Sequence, residues 1–298
     1  MLSKTDVFPK RALRTSTALA AMTFASAFAF SASADDFNPT AVVNIGSLYE
    51  PQNLDNTAGA GQGINEAFNG NVYEGLFELT DAGDVEPKLV DNYVISEDGL
   101  TYTFTLKDGI SFHSGDPLTA ADVKSSIERV TAENSASSRK RTLAVIESVE
   151  TPDDKTVVIT LNTPSISLPY NLSYVWIVND DAGDVSASAD GTGPYTLQEW
   201  RRGSALAMEP FEGYWGDAPD NGGVMFQYFT DATAQNNALL TGAVDIITSV
   251  QSPDALSLFA DNPDFTVSEG ASTTKELMAY NDRVAPFNDA KVRSALAR

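Results

Sequence analysis

Between Glu86 and Val130 the spacing of apolar residues changes twice. Tyr93 and Ile95, then Tyr102, Phe104 and Leu106, alternate with polar neighbours, the period of two that marks half-buried strands. Asp98-Gly99 and Asp108-Gly109 stand where each strand has to reverse, because glycine accepts the positive φ of a tight turn. Thr119 then reads as an N-cap with Asp122 three residues on, and Val123, Ile127 and Val130 follow at helical spacing. The rest of the chain punctuates in the same way. Ala41–Ile45 reads as a strand, Gln62–Tyr73 as a helix, and Ile146–Val149 with Thr156–Leu161 as a hairpin across Pro152–Lys155. Asp231–Leu240 reads as a helix stopped by Gly242, and Glu276–Asn281 as a strand. A last helix opens near Asn288 with Ala290, Val292, Ala295 and Leu296 in register, and carries no stop signal before Arg298. Many short strands separated by helices such as 119–131 and 231–241 predict a mixed α/β protein.

The N-terminus has its own pattern. Lys4, Lys10, Arg11 and Arg14 precede an apolar stretch from Leu19 to Phe30, and Ala32-Ser33-Ala34 comes before Asp35-Asp36. This predicts a secretory signal peptide over residues 1–34, cut between Ala34 and Asp35. The stretch is too short for a stable membrane span, and Arg11 and Arg14 are not adjacent, as a twin-arginine signal requires. The chain has no cysteine, which excludes a lipid-anchored cysteine after the cleavage site, disulfides, Cys-zinc sites and thiol catalysis. A periplasmic location is expected.

Formal charge is −22; without residues 1–34, which hold four bases and one acid, 15 Lys+Arg face 40 Asp+Glu, or −25. That balance argues against nucleic acid or anionic lipid as partners. Catalytic chemistry finds little footing. His113 is the single histidine, and beside Ser114-Gly115-Asp116 it reads as a turn residue rather than a general base. Gly191-x-Gly193 is followed at once by Pro194 and by no helix, which speaks against a phosphate-binding loop. No carboxylate pair stands out in so acidic a chain. Trp176, close to a run of Asn and Asp, is a candidate ligand-stacking aromatic, with core packing as the competing reading. No catalytic residue, metal ligand or cofactor is expected.

The order of the pieces carries more than any one of them. Glu86–Val130 resembles the segment by which family 5 solute-binding proteins, the extracytoplasmic receptors of peptide and nickel ABC importers, are recognised: "P-x-L-A-x-x-W" leading into "D-G-x-x-Y-x-F-x-L-R-x-G-V-x-F-H-x-G-x-P-L-T-A-x-D-V". Here Lys107 stands for the usual Arg and Tyr93 for the Trp. Tyr49–Asp55 is similar to the family's "P-x-x-L-D-P" loop, with Asn56 for its last Pro, and Val72–Leu76 to "V-Y-E-G-L". Gly191–Tyr195, Trp200–Gly203 and Tyr214-Trp215-Gly216 resemble the "G-T-G-P-Y... W-x-x-G... Y-W-G" series, and Ala243–Ile246 completes "A-L-x-x-G-x-V-D-I". Ala279–Asn281, Pro286-Phe287 and Val292–Leu296 resemble "Y-N... P-F-x-D-x-x-V-R-x-A-L".

The resemblance, which spans residues 39 to 298, implies an α/β, periplasmic binding protein-like (type II, cluster C) two-lobe fold. The first lobe would span 35–279 with a satellite subdomain over 76–190, and 280–298 would be the crossover and the beginning of the second lobe. Family members run to roughly 500 residues, so the remainder of the second lobe is expected to be missing, and ligand binding by this chain alone to be weak. The implied cleft residues are Tyr49 and Gln52 in the first loop, Gln62 and Asn65 at the start of the following helix, Thr192, Gly193 and Tyr195 in the Gly-Thr-Gly turn, and Tyr280 and Asn281 at the crossover. The implied partners are a peptide or similar small solute, which two lobes close upon, and an inner-membrane ABC permease; the receptor is expected to be a monomer. Peptide, nickel complex, opine and oligosaccharide remain open as ligands. An extracytoplasmic hydrolase and a structural surface protein are the rival classes.

Overall fold

The computed structural model describes residues 38–270 and 279–296, apart from 39, 60 and 187. The expected signal peptide and its Ala34–Asp35 cleavage site lie outside the described residues, as do 276–278 of the strand expected over Glu276–Asn281; residues 279–281 form no strand.

Strand β1 (Val42–Ser47) leads into a loop and helix α1 (Gln62–Phe68). Strands β2 (Phe77–Leu79) and β3 (Val85–Pro87) form a two-stranded ribbon. Next come β4 (Val90–Ile95) and β5 (Thr101–Leu106), then helices α2 (Ala120–Thr131) and α3 (Lys140–Leu143). Strands β6 (Ile146–Asp153) and β7 (Thr156–Leu161) and helix α4 (Leu168–Leu172) follow. The chain then returns through β8 (Tyr195–Arg201), β9 (Ala205–Pro210), β10 (Gly223–Tyr228), α5 (Ala232–Leu240) and β11 (Ile246–Ile247). Two short helices, α6 (Leu256–Ala260) and α7 (Ala290–Leu296), complete the described chain.

Two main sheets result. An antiparallel sheet has the order β4-β5-β7-β6, and a mixed sheet the order β11-β1-β10-β9-β8. In the antiparallel sheet the period of two is literal: Tyr102, Phe104 and Leu106 of β5, and Val157, Ile159 and Leu161 of β7, are buried while their neighbours are not. Val123, Ile127 and Val130 of α2 close over them in one core, each fully buried side chain of this size contributing roughly 1.5–3 kcal/mol. In the mixed sheet β1 runs parallel to both β10 and β11, with Val42 opposite Gly223 and Ile45 opposite Ile246. The chain between β1 and β8, the antiparallel sheet included, is thus an excursion from the mixed sheet. A second core of Phe68, Val72, Tyr73, Trp176, Leu206 and Phe226 packs on this sheet.

Local signals account for the ends of elements. Asp122 accepts the backbone N–H of Thr119 at 2.8 Å and its hydroxyl at 2.6 Å, while its other oxygen takes the Asp180 N–H at 2.9 Å. Gly99 (φ 70°) and Gly109 (φ 76°) hold the two reversals, and the Asp231 side chain caps α5 on Ala234 N–H at 2.9 Å. Two expectations need correction. The helix expected over Gln62–Tyr73 stops at Phe68, because Gly70 takes φ 76° and the Tyr73 N–H turns back to the Phe68 carbonyl. Tyr93 and Ile95 are 38% and 43% exposed, since β4 is the edge of its sheet; only Tyr93 reaches the core, edge-on to Phe77 at 5.4 Å.

Candidate functional site

Residues 48–59 leave the carboxyl end of β1, the end at which open α/β sheets receive ligands. The loop is folded by its own side chains. Ser47 Oγ accepts the Tyr49 N–H at 3.0 Å, Asn53 Oδ1 the Asp55 N–H at 2.9 Å, and Asp55 Oδ1 both the N–H and the hydroxyl of Thr57 at 2.8 Å. The other Asp55 oxygen pairs with Arg129 of α2 at 2.9 Å. From the opposite side, Glu50 Oε1 accepts Trp200 Nε1–H at 3.0 Å and the Gly203 N–H at 2.7 Å, and Arg202 donates to the Gln52 carbonyl at 3.1 Å. The first turn of α1 lies directly on this loop, so close that a Cβ on Gly63 would sit 2.4 Å from the Tyr49 carbonyl oxygen.

Between loop and helix is a cavity of about 390 Å³, lined by Tyr49, Gln52, Asn53, Gln62 and Ile64 among others. Tyr49 is half-buried there, and Gln52 and Gln62 are exposed. Three of the expected cleft residues therefore meet in one place. Asn65 lines an adjoining cavity of about 70 Å³ with Asn56, Arg139 and Tyr174, and the two cavities share Gly59 and Ile64.

The other expected cleft residues do not line that cavity. Trp176 is 3% exposed; its ring stacks on Tyr73 at 4.8 Å and its N–H goes to Asn69 at 2.8 Å, so packing occupies the aromatic face a ligand would need. The Gly191–Tyr195 turn is pressed onto residues 71–72: Gly193 N–H reaches the Val72 carbonyl at 3.0 Å and Tyr195 N–H the Asn71 carbonyl at 2.9 Å. A Cβ on Gly191 would lie 1.9 Å from the Val72 carbonyl oxygen, an approach only glycine permits. Tyr195 is half-buried and its hydroxyl accepts from Asn221 at 2.8 Å. Tyr280 packs on Phe287 at 5.5 Å, and exposed Asn281 accepts the Arg283 N–H.

Fully buried Thr192 points instead at Glu74, the residue that reading the sequence passed over. Glu74 is 2% exposed. It accepts the hydroxyls of Thr192 at 2.9 Å and Tyr214 at 2.8 Å and the indole N–H of Trp215 at 3.0 Å, with Lys88 3.5 Å away. A buried carboxylate persists when its oxygens are so filled. Burial and then the Glu74 charge raise the Tyr214 pKa far above its ordinary value. For Lys88 burial opposes the charge, and Glu78 and Glu74 outweigh it, so its pKa also rises. Three separate motif segments, 72–76, 191–195 and 214–216, are thus tied at one carboxylate. The available signal was the one acid inside the otherwise apolar run Val72–Phe77.

His113 belongs to the same lock. Its backbone N–H meets the Gly191 carbonyl at 2.9 Å, Nε2 lies 2.9 Å from the Gly193 carbonyl oxygen, and Nδ1 faces the Gly191 N–H at 3.4 Å. A neutral ring protonated on Nε2 satisfies both contacts. Both ring nitrogens are spent on backbone, and its edge packs on Phe211 at 4.9 Å.

This architecture has known relatives. The family model for bacterial extracellular solute-binding proteins, family 5 middle, matches residues 84–298. The chain belongs to this family. Among curated proteins it is 29% identical over 266 residues to the glutathione-binding protein GsiB of Salmonella typhi, an overlap of 86% of this chain and 51% of GsiB. The chain therefore spans about half the length of the curated relatives it matches. Among solved structures, the PBP AgaA of A. tumefaciens in complex with agropinic acid is 32% identical, with a TM-score of 0.70 over 74% of this chain and 46% of AgaA. NikZ of Campylobacter jejuni, solved with Ni(L-His), is 24% identical and has a TM-score of 0.76 over 86% of this chain and 52% of NikZ, a likeness of fold. The mixed α/β periplasmic binding protein fold implied by the motifs is the fold observed.

Proposed function

We propose that this family 5 chain serves as the solute-capturing component of an ABC importer, working in the periplasm on a peptide or a similarly small solute and delivering it to an inner-membrane permease as a monomer. The observation that carries this reading is the union of family membership with a prefolded polar loop and cavity at the carboxyl end of β1. Tyr49, Gln52 and Gln62 supply hydrogen-bonding groups on a scaffold already held by the contacts of Glu50 and Asp55 with Trp200, Gly203 and Arg129, which lowers the ordering cost of binding. Capture needs no bond to be made or broken, only a difference in affinity between open and closed states. The relatives bind glutathione, agropinic acid and a nickel–histidine complex by their names, and from these we infer a small polar solute carrying charged groups. Export over residues 1–34 with cleavage after Ala34 belongs to the same reading, since delivery to a permease requires it.

Mass spectrometry of the protein purified natively from its own periplasm tests this. A small solute released on denaturation, and a mature N-terminus at Asp35, are the expected results. Esterase or peptidase turnover that disappears in His113→Ala would favour the hydrolase reading instead.

A further inference from the structure

The link from α2 into the first turn of α3 carries Arg139-Lys140-Arg141, three consecutive cations in a chain of net charge −22. The link is fastened to the candidate site: Ala136 N–H donates to the Thr57 carbonyl at 2.8 Å. Arg139 is set apart from the other two by what holds it. Its guanidinium lies 3.7 Å from the ring centre of Tyr174 and 5.5 Å from that of Tyr170, and those rings meet edge to face at 5.5 Å. Asn56 fixes the shelf from beneath, donating to the Tyr174 carbonyl at 3.5 Å.

Aromatic faces hold a guanidinium in place without using up its in-plane N–H groups. One of them reaches the Tyr174 hydroxyl, and no carboxylate of the described residues meets the others. No Asp or Glu among the described residues comes within ion-pair distance of Arg139, although acids outnumber bases 41 to 19 along the chain. Its Nε is buried with no hydrogen-bond partner, an unfavourable condition for a buried donor. The side chain lines the 70 Å³ cavity with Asn56, Asn65 and Ser138, and that cavity adjoins the larger one through Gly59 and Ile64. A space of this size accepts a few waters or one carboxylate group.

We propose that Arg139, held on the Tyr170–Tyr174 shelf, anchors a carboxylate of the solute whose remainder lies in the Tyr49–Gln62 cavity. A carboxylate supplies what the site lacks: two acceptor oxygens matched to the planar fork of the guanidinium, and a negative charge to balance it. Asn65 and Ser138 are placed to complete the hydrogen bonding. The solute class is then an acid, such as a peptide with a free carboxyl terminus or an amino-acid derivative. This rests on the solute-binding reading above and adds the group by which the solute is recognised.

The test uses the full chain and two independent probes. In the first, trialanine and its C-terminal amide are titrated into wild type, Arg139→Gln and Arg139→Lys. Wild type should prefer the acid by about tenfold, the worth of one charge-assisted hydrogen bond. Arg139→Gln should bind the acid and the amide equally, and Arg139→Lys should keep part of the preference. In the second, thermal unfolding is followed in acetate and in chloride at equal ionic strength. Acetate should raise Tm more in wild type than in Arg139→Gln. Equal affinity for acid and amide in wild type, or an acetate effect unchanged by Arg139→Gln, overturns the anchor. An Arg139-dependent acetate effect without any trialanine binding upholds the anchor and counts against the peptide reading alone.

Discussion

Glu74 is placed where a carboxylate survives only through its neighbours, and its loss should be felt in the 191–195 and 214–216 segments that it ties together. Removing it leaves the buried hydroxyl of Thr192 and the half-buried hydroxyl and indole of Tyr214 and Trp215 without an acceptor, so Glu74→Ala should lower the unfolding free energy by about 3 kcal/mol, and Glu74→Gln by less. Urea unfolding measures both, and a loss in Glu74→Ala no larger than at a surface site contradicts the lock. The same contacts set an alkaline limit. The Tyr214 phenol has a folded-state pKa raised by burial and by Glu74, so its contribution to stability is complete below the ordinary tyrosine value of about 10. It is lost as pH rises above that value towards the folded one, because the unfolded chain gives up the proton first. Tm should therefore fall above about pH 10, and fall less steeply in Tyr214→Phe; parallel slopes for the two proteins would contradict the assignment. Residues such as these were hard to read in the sequence. Thr192 and Gly193 carry the family resemblance, yet what the motif encodes is a close backbone approach and a hydrogen bond to a carboxylate 118 residues away.

Elements were more legible than contacts, for a physical reason. The period of two in β5 and β7, the cap of α2 and the glycine ends of α5 and the two reversals are written within a few residues of where they act. The burial of β4 is not, because an edge strand and a central strand can carry the same alternation, and only the pairing partners differ. The parallel pairing of β1 with β10 and β11 joins residues nearly 200 positions apart (Asn44 and Asp245 exchange hydrogen bonds across 201 residues), and no local pattern encodes it. Capping gives a prediction at this scale. Asp122, at the third position of α2, closes the capping box on Thr119 and also holds the Asp180 N–H, so Asp122→Ala should cost about 2 kcal/mol, as much as the loss of a strong cap. Asp231→Ala at the exposed start of α5 should cost only about 1 kcal/mol. Chemical denaturation of the two variants checks the order; equal losses would mean that the Asp180 bond adds nothing.

For the whole molecule the central claim is that this family 5 chain captures a solute at the carboxyl end of β1. The three expected cleft residues that the structure brings together, Tyr49, Gln52 and Gln62, lie in a loop and helix start whose sequence pattern is local. Trp176, Thr192, Gly193 and Tyr195 lie away from that cavity because their surroundings are set by packing across the chain, while Tyr280 and Asn281 make only local contacts, with Phe287 and Arg283. Since the chain spans about half the length of its curated relatives, the measurement has to register weak contacts as well as strong ones. Amide chemical shifts of the 298-residue chain, followed while trialanine and the nickel–histidine complex are titrated in turn, meet that need. Saturable shifts with one of these solutes, confined to residues 48–65 and 136–139 and diminished in Tyr49→Ala, are the predicted result. Saturable shifts centred on the Gly191–Tyr195 turn, or none with any solute, would contradict the account.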